Sequence, residues 1–93
     1  MRSVLILILL RNDPLRFNQL RRAIEGISQK MLSQVLKSLE RDGLVRRAMY
    51  PEVPPRVEYV LTPFGTKFVR IVDELKKLHD EVASGTLEPP KTT

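Results

Sequence analysis

The stretch Gly26-Ile-Ser-Gln-Lys-Met-Leu-Ser-Gln-Val-Leu-Lys-Ser-Leu-Glu-Arg-Asp-Gly43 constrains the fold of this chain more than any other. Ser28 is a residue type that caps a helix N-terminus, because its hydroxyl can accept an otherwise unpaired backbone N–H of the first turn. Gly43 is the type that ends one, because it enters the left-handed region without a steric penalty. Between them Leu32, Val35, Leu36 and Leu39 recur at three- and four-residue spacing, which predicts an inward apolar face. The opposite face holds Gln29, Lys30, Ser33, Gln34, Lys37 and Arg41, nearly all hydrogen-bond donors or cations, with Glu40 the exception near the end. Such a helix suits phosphates and base edges in a major groove. A merely solvated helix face is the competing reading, and the flanking sequence decides between them.

Upstream, Phe17, Leu20, Ala23 and Ile24 predict a short helix whose exposed side carries Arg16, Arg21 and Arg22. Gly26 interrupts it just before Ser28, so two short helices meet at a tight turn, the helix-turn-helix pattern. Further upstream, the apolar run Val4–Leu10 is seven residues long, far too short to span a bilayer, and Arg11-Asn-Asp-Pro14 follows at once. With no small-residue cleavage site behind it, the run predicts a buried first helix packed against more than one neighbour. Downstream the period changes from helical to alternating. Leu44–Tyr50 and Arg56–Leu61 predict two strands joined by Pro51-Glu-Val-Pro-Pro55, whose three prolines make a stiff hairpin tip. Val57, Tyr59 and Leu61 share one strand face and Arg56 and Glu58 the other, while Arg46 and Arg47 give one cation to each face of the first strand. A rigid basic hairpin directly after a basic helix reads as a wing.

Thr62-Pro63 opens a last helix, threonine at the N-cap and proline at the first helical position. Phe64, Phe68, Ile71, Leu75, Leu78 and Val82 alternate by four and three, a heptad seam reaching almost to Ser84 and Gly85. A helix of this length outruns a small domain, so its far half needs the surface of a second subunit. The 93 residues suffice for one domain. Their net charge of +5 points to an anionic partner, most commonly nucleic acid. The absence of cysteine excludes disulfides and thiolate metal sites within this sequence, and fits a cytoplasmic protein. The single histidine, His79, has no triad or metal-ligand spacing around it, the four glycines are isolated, and no paired carboxylates suit acid–base chemistry. The sequence therefore predicts neither an enzyme nor a cofactor or metal site.

The stretches Arg16–Ile24, Gly26–Leu32, Leu39–Val45 and Pro51–Thr62, in this order, closely resemble the HxlR-type transcriptional regulators, winged-helix relatives of the MarR group. The resemblance runs from about Val4 to Leu78. The element order, like the resemblance, predicts a fold that is α+β and mainly α, a winged helix-turn-helix over residues 1–85 with a long C-terminal dimerisation helix, and the proline- and threonine-containing end predicts a flexible tail over residues 86–93. The resemblance carries further expectations. It implies a homodimer on double-stranded DNA, at a pseudo-palindromic operator, with the helix after Ser28 in the major groove and the hairpin beside it. By position, Gln29, Lys30, Ser33, Gln34 and Lys37 would face DNA, with Ser28 at the helix start, Arg16 on the preceding helix and Arg56 on the wing. The dimer would be held by Phe68, Ile71, Leu75, Leu78 and Val82, with Leu5 and Leu9 of the first helix against them. Family members usually carry a further N-terminal segment, often with a cysteine, ahead of the position of Arg2. The expectation without it is an altered dimer contact and no thiol sensing. A different class of function stays open, a winged helix that uses its basic face to meet an acidic protein partner. Clustering of the cations on helix and wing favours DNA.

Overall fold

Proline, threonine, serine and glycine set the element boundaries where the sequence puts them. A computed structural model, describing residues 2–86, has the elements α1 (Arg2–Leu9), α2 (Phe17–Ala23), α3 (Gln29–Arg41), β1 (Val45–Tyr50), β2 (Arg56–Leu61) and α4 (Pro63–Ala83) in chain order. Ser28 caps α3, its Oγ accepting the Met31 N–H at 3.1 Å, and Thr62 caps α4, its Oγ1 accepting the Gly65 N–H at 2.9 Å. At the other end of α3, Gly43 has φ +77° and donates to the Glu40 carbonyl at 3.1 Å, while Leu44 reaches back to Leu39 at 3.0 Å. That pair of bonds closes the helix in a Schellman motif and leaves Leu39 and Leu44 both buried beneath it. The end of α4 repeats the device, with Gly85 donating to Val82 and Thr86 to Glu81. Of the tail expected beyond Gly85, residues 87–93 lie outside the described residues.

The core is assembled around α3. Its Leu32, Leu36 and Leu39 are buried against Ile6, Leu7 and Leu10 of α1 and its C-terminal turn, Leu20 of α2, and Ile24 and Ile27 of the turn between α2 and α3. Val35 is half-buried at the edge of this cluster. Ala23, grouped with the inward face of α2 on spacing, is exposed instead, because α2 ends there and the chain turns at Ile24. As expected, α1 packs on two neighbours, α3 and α4.

β1 and β2 pair antiparallel, from Val45 opposite Leu61 to Tyr50 opposite Arg56. Leu15 adds a single bridge to the free edge of β2, exchanging backbone hydrogen bonds with Tyr59 at 3.1 and 2.7 Å. That contact has no local sequence signature. Together with the packing of α2 and α4 against this strand, it leaves every residue of β2 at least half-buried, polar face included. The architecture is a winged helix-turn-helix, mainly helical with one small antiparallel sheet.

Candidate nucleic-acid interface

The face of α3 turned away from the core is a run of hydrogen-bond donors and cations. Gln29, Lys30, Gln34, Lys37 and Arg41 are exposed and Ser33 is half-buried. No acidic residue occupies the first turn. Nothing there opposes an approaching phosphate, and the partial positive charge of the helix start adds to the cations. Ser28 is exposed with its oxygen engaged in the cap, so its hydroxyl hydrogen remains available to an outside acceptor.

Arg16 precedes α2 as its N-cap residue, its backbone N–H bound by Gln19 Oε1 at 2.8 Å and its side chain exposed. The start of α2 lies next to the wing, and an open hollow between them is lined by Arg16, Arg22 and Arg56. The sequence placed Arg22 on the exposed side of its helix but gave no reason to put it among the DNA-facing residues. Its only local mark is the bond from its Nε to the Asn18 carbonyl one turn earlier, at 3.2 Å. The packing of the wing against α2 is what brings it beside Arg56.

Arg56 is less free than a stiff proline-flanked cation would be. Register puts Tyr50 directly across from it, and the guanidinium lies over that ring, 4.3 Å from its centroid. Its Nη2 is 3.6 Å from Glu52 Oε1, and only 33% of the side chain is exposed. Arg46 and Arg47, at the base of the hairpin, are both exposed. Nearby, burial pushes the Tyr59 phenol above its usual pKa, with Arg47 opposing and Glu40 reinforcing the shift.

On α4 the whole predicted seam is uncovered. Phe64, Phe68, Ile71, Leu75, Leu78 and Val82 are exposed, Ile71 at 56% and Leu75 at 62%. On α1, Leu5 is exposed, whereas Leu9 is half-buried and packs on the core of its own chain. His79 is exposed beside Asp80, and no group of metal-ligating side chains occurs among the described residues. No helix among them is long and apolar enough to cross a membrane.

The HxlR-like helix-turn-helix family model matches residues 2–86, the full extent of the elements just described. The chain belongs to the HxlR-like helix-turn-helix family. Among its curated relatives, an uncharacterized HTH-type transcriptional regulator of Escherichia coli, YtfH, is 58% identical over 63 residues, which cover 68% of this chain and 50% of that protein. An archaeal HTH-type regulator from Methanothermobacter thermautotrophicus is 48% identical over 71 residues, covering 76% of this chain and 54% of that one. The chain thus spans about half the length of the curated relatives it matches. Among solved structures, the reduced form of the transcriptional regulator YodB from B. subtilis superposes with a TM-score of 0.80 at 36% identity, covering 96% of this chain and 83% of YodB. These relatives are transcriptional regulators, not enzymes.

Proposed function

We propose that this chain is a sequence-specific DNA-binding transcriptional regulator of the cytoplasm that acts as a homodimer on a pseudo-palindromic operator. One observation carries the reading: the exposed face at the start of α3 is made of donors and cations with no carboxylate in its first turn. In this reading Gln29, Lys30 and Gln34 meet base edges, with Ser33 and Ser28 beside them. Lys37 and Arg16 hold phosphates, and Arg56 presents one edge of its stacked guanidinium to the backbone from the wing. Phe68, Ile71, Leu75, Leu78 and Val82 meet the same seam of a second copy, with Leu5 and the edge of Leu9 completing the contact. Membership of a family of helix-turn-helix regulators supports the DNA-binding part. The exposed heptad seam supports the dimer, since an apolar stripe of that length is rarely left in water.

Selection of bound duplexes from a random pool tests both parts together. The expected product is one half-site repeated in inverted orientation, with centres about one helical turn of DNA apart. A pool that is not enriched contradicts sequence-specific binding, and enrichment of a single unrepeated site contradicts the dimer.

A further inference from the structure

α4 leaves the body of the molecule at Asp73. Val69 is buried, Val72 and Asp73 are half-buried, and every residue from Glu74 to Ala83 is exposed. That overhang is about 15 Å long at the rise of an α-helix. At the point of departure, Arg11 Nη1 donates to Asp73 Oδ2 at 2.7 Å across 62 positions of sequence. Among the described residues it is the one ion pair that joins two separate elements. The others link residues no more than four positions apart.

The other end of this link is equally well fixed. Arg11 closes the C-terminal turn of α1, its backbone N–H bound to Ile8 at 3.1 Å, and α1 packs directly on α3. A continuous path therefore runs from the exposed donor face of α3 through α1 and Arg11 to the direction in which α4 projects. We propose that Arg11 and Asp73 form a positioning pair that sets the distance between the two recognition helices of a dimer, and with it the operator spacing. The inference rests on the dimeric reading above. A tilt of about 10° moves the far end of a 15 Å overhang by roughly 3 Å, close to the rise of one base pair. Two-fold symmetry applies the same displacement in both protomers.

The chemistry around the pair separates its geometric role from stability. Arg70 and Lys77 of α4 line the same hollow as Arg11 and Asp73. The same hollow also holds Lys76, Glu74 and Asp80, so when Arg11 is removed the Asp73 carboxylate stays partly solvent-exposed in a surface of mixed charge. What is lost is the one ion pair between α4 and the turn after α1, while the packing of α1 on α4 remains. A pair this exposed contributes little to folding but biases one helix direction.

The test uses the full chain and a panel of duplexes carrying the selected half-sites at the preferred separation, or one and two base pairs shorter and longer. Wild type should favour one separation sharply. Arg11→Ala and Asp73→Asn should each lower that preference about two- to fivefold while leaving affinity for a single half-site unchanged. The exchanged double variant Arg11→Glu with Asp73→Arg should recover a sharp preference that neither of its single changes retains. An unchanged spacing preference in Arg11→Ala, or a double variant no better than its singles, overturns the inference and leaves the dimeric reading standing. A wild type indifferent to spacing overturns both.

Discussion

Lys30, Gln34 and Lys37 follow one another up the exposed face of α3, one helical turn at a time. A glutamine amide can donate and accept at once, the pairing that adenine offers in the major groove, whereas a lysine delivers charge without that discrimination. Gln34→Ala is expected to relax preference at one base pair per half-site, costing about 1–3 kcal/mol on the selected operator and much less on scrambled duplex. Lys37→Ala is expected to lower both affinities together. Equal losses on both duplexes for Gln34→Ala would leave base reading to Gln29. Arg56→Ala should weaken binding to every duplex alike and flatten the salt slope by about one unit. It should also lower stability by about 0.5–1 kcal/mol through loss of the stacking on Tyr50, checked by urea denaturation. The α3 residues were legible in the sequence because a helix period alone decides which side chains share a face. The restraint on Arg56 was not, because it depends on the hairpin register that sets Tyr50 opposite it, and a five-residue proline-rich loop leaves that register open.

Local chemistry also fixed where the helices begin and end. Ser28, Thr62, Pro63 and Gly43 all stand where the structure caps or closes a helix, each acting through its own residue's hydroxyl, ring or φ. What spacing could not convey were contacts between elements, such as the bridge from Leu15 to β2 and the close approach of α4 to the start of β1. At the latter, a Cβ on Gly65 would overlap the Leu44 carbonyl, so only glycine lets the first turn of α4 dock. Gly65→Ala should therefore cost about 1–3 kcal/mol, seen as a lower denaturation midpoint, and an unchanged midpoint would show that the helix shifts at no cost. Gly43→Ala meets no atom within 4 Å but must hold φ +77°, so its cost of about 1 kcal/mol should come from backbone strain alone.

The molecule is elongated, 61 Å in its longest dimension against 29 and 21 Å in the others. An extended form with an exposed apolar seam is half of an assembly in the present reading, and the seam was visible in the sequence as a heptad. Because Leu75 is 62% exposed in the single chain, Leu75→Glu is expected to leave the protomer folded. The charge is costly only where a partner would bury it, so the variant should sediment as a monomer at concentrations where wild type is a dimer. A monomeric wild type at micromolar concentration would contradict the seam's role. Sequence-specific recognition by a dimer is examined most directly by titrating wild type, at one salt concentration, into a selected duplex and a scrambled one of equal length, with the mass of each complex measured. The expected result is two chains per selected duplex and an affinity at least about a thousandfold above that for the scrambled sequence. Equal affinities for the two duplexes, or one chain per selected duplex at saturation, would contradict it.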